Sequence, residues 1–172
     1  MVFRKRVCGG ECMIQDLRTF NPTHHEDFRG DIYTTWSDNE YPDLNWRLDK
    51  FSHSRRNVLR GLHGDDKTWK LINCVQGKFY LIVADCRKDS ETYGEWVWFI
   101  LSDTNRKQVL VPPGCANGHL VLSRTCTFHY KQAFEGAYND IENQFVVHWN
   151  DPKWNFEWPI DNPILWGRDK NE

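Results

Sequence analysis

Short apolar runs separated by turn-forming residues dominate the middle of the chain. Residues 57–62, 69–75, 78–85, 96–101, 108–111, 119–122, 125–132 and 144–149 each read as a strand of four to eight residues. Gln76-Gly77, Ser102-Asp103, Pro112-Pro113-Gly114 and Asn139-Asp140 supply the turns between them. The run 78–85 is almost wholly apolar, which predicts a central strand buried on both faces. Many short strands at this spacing predict an all-β sandwich or barrel.

Helix is scarce. Residues 13–20 are expected to hold two helical turns, and the Trp- and Pro-rich stretch after Asp151 is expected to wrap the surface. There is no internal repeat or linker, so one domain is expected over residues 1–172. Its N-terminal stretch is free to reach a partner subunit.

Composition narrows the function. Basic and acidic side chains number 22 and 24, too balanced for nucleic acid to be the main partner. No run is long enough to span a membrane, and no apolar stretch follows the basic start, so a cytoplasmic location is expected. The 6 cysteines then read as reduced thiols, Cys8 and Cys12 included. The 9 Trp, 10 Phe and 6 Tyr are expected mostly to pack, Trp36, Trp46 and Trp69 among them. His24-His25 is expected in a solvated loop.

Polar groups concentrate in three segments: Leu59 to Asp65, Trp69 to Leu71, and Pro112 to His119. Arg60 and His63 lie three apart, so on a regular strand they face opposite sides. A bulge at Gly61 would bring both to one cavity. The Pro-x-Gly element and the Gly77 turn suggest the cupin superfamily of small jelly-roll barrels. Many cupins hold a metal between paired His, a Glu and a later His. Here Gly61 and Asp65 flank His63, Lys70 stands where the Glu is expected, and Asn117 follows the Pro-x-Gly. A cation in the pocket opposes a divalent metal, so no metal is expected. An acid–base set remains: His63 as a proton acceptor, Lys70 or Arg60 to hold a developing enolate oxygen, and Tyr130 to return a proton.

These residues resemble the dTDP-4-dehydrorhamnose 3,5-epimerases. The likeness runs from Asp27 to Asp169, through Asp27-Phe28-Arg29-Gly30, Leu59-Arg60-Gly61-Leu62-His63, Lys70-Leu71, Tyr93-Gly94-Glu95-Trp96, Tyr130-Lys131, Trp149-Asn150-Asp151-Pro152 and Arg168-Asp169. The Leu-Arg-Gly-Leu-His string is the most specific. The resemblance implies a cupin-like jelly roll with few short helices. It implies an isomerase without cofactor or metal that inverts C3, C5 or both of a nucleotide-linked 4-keto sugar through an enolate, in cell-surface carbohydrate synthesis. It assigns His63 as base, Asp169 as its acidic partner, Tyr130 as acid and Lys70 beside the enolate oxygen. Arg29 and Arg60 would contact the nucleotide-sugar phosphates, with Asn117 and His119 lining the substrate site. It also implies a homodimer with exchanged N-terminal strands.

The departures are local. Gly64 and Asp65 replace an aromatic and Gln; Asn117 replaces His; Leu48, Lys50 and Phe51 replace Gln, Asn and His. They suggest another nucleotide sugar, such as a GDP-linked 4-keto heptose. The alternatives are a C3-only or C5-only epimerase, a 3,4-ketoisomerase, a non-catalytic sugar-binding barrel and a metal-dependent cupin oxygenase.

Overall fold

The computed structural model describes residues 14–139 and 141–170, with the backbone of residues 4–5. Thirteen strands form in chain order: β1 Arg4–Lys5, β2 Arg18–Phe20, β3 His24–Asp27, β4 Gly30–Tyr33, β5 Trp46–Arg55, β6 Leu59–Gly64, β7 Trp69–Gln76, β8 Lys78–Asp85, β9 Glu95–Ser102, β10 Gln108–Val111, β11 Cys115–Val121, β12 Thr125–Ala133 and β13 Phe145–Val146. Two short 3-10 segments, Ile141–Asn143 and Gly167–Asp169, are the helical content of the described residues. The strands build a six-stranded sheet in the order β1-β9-β8-β11-β6-β13, a five-stranded sheet in the order β2-β10-β7-β12-β5, and the separate hairpin β3-β4. This is an all-β, cupin-like jelly roll.

Alternation along β8 explains its apolar run. Phe79, Leu81 and Val83 point between the sheets, where they meet Ile72, Val109, Val111 and Phe128 of the five-stranded sheet. Tyr80, Ile82 and Ala84 point the other way and are also buried. What covers them is the chain after β13. Val147 and Trp154 are buried there, with Trp149, Phe156 and Trp158 packed alongside. Indole N–H groups tie the stretch down: Trp158 Nε1 donates to Trp149 O at 2.8 Å, and Trp96 Nε1 of β9 donates to Trp154 O at 3.1 Å. The Trp-rich C-terminal stretch therefore covers a sheet face, as a second core, rather than an end of the barrel. Each large side chain buried this way contributes about 1.5–3 kcal/mol. Trp36, Trp46 and Trp69 pack around Tyr41, Leu71 and Leu110 on the outer face of the other sheet.

Several expectations are corrected. No helix forms within 14–20: Ile14 and Leu17 are both buried, but a turn at Asp16 with φ 66° brings them together, and Arg18–Phe20 is a strand on β10. His24 and His25 lie in the exposed hairpin β3-β4, not in a loop. The last predicted strand shrinks to Phe145–Val146, because the chain leaves β6 after Val147 to cross the sheet face. β11 begins earlier than expected, since its small residues Cys115 to Gly118 are clamped between β8 and β6. β5 had no sequence signal. Cys74, Cys86, Cys115 and Cys126 are free thiols; Cys8 and Cys12 lie outside the described residues.

Candidate active site

A cavity of about 500 Å³ opens between the two sheets. Its two walls are built differently. One is β6 and β11 of the six-stranded sheet. There Asn117 pairs with His63 and His119 with Arg60, so β6 spends three residues where β11 spends two. The extra residue is Gly61, at φ 114°; a Cβ there would stand 2.5 Å from the Gly118 backbone. This bulge turns both Arg60 and His63 into the cavity, beside Asn117 and His119. The other wall is regular between Phe128 and Gln132, with register shifts just outside that stretch: Lys70 comes from β7, and Phe128, Tyr130 and Gln132 from β12 at every second position.

The C-terminal 3-10 turn closes the irregular wall. Asp169 is buried, and its Oδ1 lies 2.7 Å from His63 Nε2, beside the N–H direction rather than along it. The same oxygen accepts the Gly61 backbone N–H at 3.3 Å, so the carboxylate holds both the bulge and the imidazole. Arg168 Nη2 lies 3.1 Å from His63 Nδ1. Burial lowers the His63 pKa below the ordinary 6.5; contact with Asp169 opposes this, and Arg168 and Lys70 add to it. The ring is therefore neutral at neutral pH.

Lys70 is buried, and its Nζ donates to Asn117 Oδ1 at 3.3 Å and His63 O at 3.4 Å. Burial pushes its ammonium down to about 8. Burial also pushes the Tyr130 hydroxyl up to about 12, so it keeps its proton. His119 stacks on Phe128 at 4.1 Å, and burial, followed by the Arg60 charge, brings it down to about 3. Arg60 reaches the cavity with its Nε donating to Ser54 Oγ at 3.1 Å. Cations Arg60, Lys70 and Arg168 thus face one lining carboxylate, Asp169, which suits an anionic ligand. Among the described residues, no three His, Cys, Asp or Glu side chains gather as a metal site.

Seven of the eight residues expected from the sequence share this cavity: His63, Tyr130, Asp169, Lys70, Arg60, Asn117 and His119. Arg29 does not. It sits at the exposed turn of the β3-β4 hairpin, its guanidinium 2.6 Å from Asp27, and does not line the cavity. Arg168, Gln132, Tyr138, Gln144 and Trp166 line the cavity without having been singled out. For Arg168 the signal was its place next to Asp169; the others carry none.

A family model described as dTDP-4-dehydrorhamnose 3,5-epimerase matches residues 11–172. The chain belongs to the dTDP-4-dehydrorhamnose 3,5-epimerase family. It is 34% identical over 166 residues to the dTDP-4-dehydrorhamnose 3,5-epimerase of Shigella flexneri, covering 92% of this chain and 90% of that one. A dTDP-4-dehydrorhamnose 3-epimerase of Streptomyces niveus is 34% identical over 123 residues, covering 70% of this chain and 58% of that one. Among solved structures, the dTDP-6-deoxy-D-glucose-3,5-epimerase of Legionella pneumophila, in complex with dTDP-4-keto-L-rhamnose, superposes with a TM-score of 0.84 at 31% identity. That match covers 92% of this chain and 86% of the other. The family makes this chain an epimerase of the isomerase class.

Of the positions that depart from the family pattern, Asn117 lines the cavity, and Lys50 borders it by donating to Tyr138 Oη at 2.7 Å. Asp65 instead accepts the backbone N–H groups of Lys67 and Thr68 at 3.1 and 2.8 Å and stabilises a turn. Phe51 points to the outer face. At Gly64 a Cβ would stand 2.4 Å from the Phe145 ring, so β13 supplies an aromatic where the neighbouring strand has none.

Proposed function

We propose that the cavity inverts C3, C5 or both of a nucleotide-linked 4-keto sugar. The observation that supports this most is the opposition of His63, backed by Asp169, to Tyr130 on the facing wall, with Lys70 beside them. The C4 ketone acidifies the hydrogens on its neighbours. His63 takes one as a proton, and the C–H electron pair passes into the enolate. Lys70, held by Asn117, carries the charge on the C4 oxygen. Tyr130 delivers a proton to the opposite face; His63 then loses its own to solvent, and Tyr130 regains one from solvent. Asp169 stabilises the imidazolium. Arg60 faces the diphosphate, for which a guanidinium is well suited.

Turnover in deuterated water tests this. Among 4-keto-6-deoxy sugars on dTDP and GDP and a GDP-linked 4-keto heptose, at least one is expected to gain deuterium at C3, C5 or both, and His63→Ala to lose about 10³-fold or more of the exchange. Folded protein that binds these sugar nucleotides and exchanges none of them would overturn the reading. The Streptomyces niveus relative, described as a 3-epimerase, favours a second reading in which C3 alone reacts. The position of the label separates the two.

The substrate is proposed to differ from the rhamnose precursor, supported by Asn117 and by the Lys50–Tyr138 contact at the cavity. A GDP-linked 4-keto heptose is the candidate, and equal turnover of the dTDP sugar would contradict it. The active unit is proposed to be a homodimer. Phe51 and Val75 leave apolar surface uncovered on the five-stranded sheet, and sedimentation at micromolar concentration reads the state.

A further inference from the structure

A different charged side chain faces each ring nitrogen of His63. Nε2 faces Asp169, and Nδ1 faces the Arg168 guanidinium at 3.1 Å. A guanidinium only donates. Nδ1 must therefore be the unprotonated nitrogen, with its lone pair aimed at Arg168, and the ring proton sits on Nε2 beside the carboxylate. Two consecutive residues straddle the imidazole and set one tautomer.

Nδ1 is the nitrogen left to accept a proton from carbon, and Arg168 covers it. Arg168 is held by neutral acceptors: Nδ1, Ile141 O at 3.1 Å and Gln144 Oε1 at 2.9 Å. Each is a weaker partner for a guanidinium than an anionic oxygen. Arg168 also shares the cavity lining with Trp166 and Ile141, both of which are exposed.

We propose that Arg168 is a positioning residue that caps the base in the empty enzyme and is drawn off it by the substrate diphosphate. Nucleotide binding then uncovers Nδ1, and the base is free only when a nucleotide sugar fills the cavity. The proposal rests on the epimerase reading for its purpose, but its first test needs no turnover.

That test is nitrogen NMR of protein labelled in histidine, comparing wild type with Arg168→Met. In ligand-free wild type, Nδ1 is expected to be unprotonated and shifted by its donor, with Nε2 protonated. In Arg168→Met, Nδ1 is expected at the position of an uncapped nitrogen, with the His119 and His129 signals unchanged as a check on folding. Adding dTDP is expected to move the wild-type Nδ1 signal toward the uncapped position and to leave the variant's nearly still. In turnover, removing the Arg168 charge is expected to move the acid limb of kcat/KM to higher pH. KM is expected to rise about tenfold, for one lost charged hydrogen bond. Arg168→Lys is expected to recover part of both. A protonated Nδ1 in the free enzyme would overturn the proposal, as would identical Nδ1 signals in wild type and Arg168→Met. A wild-type Nδ1 signal unmoved by bound dTDP would overturn it too. Absence of isotope exchange with these NMR results intact would instead count against the epimerase reading alone.

Discussion

The two walls of the cavity carry comparable chemistry by opposite means. On the five-stranded sheet, Lys70 and Tyr130 reach the cavity through plain alternation on β7 and β12. On the six-stranded sheet, Arg60 and His63 reach it only because β6 bulges at Gly61, and the bulge is pinned by a carboxylate from the C-terminal 3-10 turn. The first wall is a product of local pattern. The second depends on a contact between residues more than a hundred positions apart. The irregular wall should therefore fail to single changes that the regular wall tolerates.

The largest expected effect breaks the bulge. Gly61→Ala places a methyl against the Gly118 backbone at a φ that L residues resist, and is expected to cost roughly 2–4 kcal/mol. Ile72→Val, in the core beneath the regular wall, is expected to cost about 0.5–1.5 kcal/mol. Chemical denaturation compares them, and similar costs would remove the distinction. Next comes Asp169→Asn, expected to lower kcat/KM by about 10²-fold, because the imidazolium loses its counter-charge. Since Asp169 raises the His63 pKa, the acid limb should also move to lower pH in this variant.

The regular wall was the more legible in the sequence. The predicted runs 69–75 and 125–132 fall within one residue of β7 and β12, since both are β-rich runs buried over consecutive positions. Gly61 between Arg60 and His63 signalled the bulge. Asp169 was visible only through family resemblance, because no periodicity links it to β6. β5 escaped because three of its inward side chains, Lys50, Ser52 and Ser54, border the polar cavity at a sheet edge, which erases the apolar alternation. The expected helix near Leu17 failed because two apolar residues three apart are served equally well by a turn. Arg29 carries the family motif but lies on a hairpin away from this cavity.

A smaller effect sharpens the comparison through pH. The acid limb of kcat/KM belongs to His63 on the irregular wall and is expected below 6.5, the ordinary histidine value from which burial lowers it. The alkaline limb belongs to Lys70 on the regular wall: its ammonium is lost as pH rises through about 8, and activity should fall about tenfold per unit above that. His119, held down to about 3, should leave no trace between them. A profile with no alkaline limb near this value would remove Lys70 from the role given to it.

The central claim is that the two walls serve opposite faces of one sugar. Tyr130→Phe tests it most directly, with deuterium exchange and stereochemical inversion followed together in deuterated water. If His63 removes the proton and Tyr130 returns it from across the cavity, the variant should keep exchanging the reactive carbon with its configuration retained, while inversion drops about 10²-fold. Loss of exchange and inversion in equal measure, in a variant that still binds the sugar nucleotide, would contradict the division of labour between the walls.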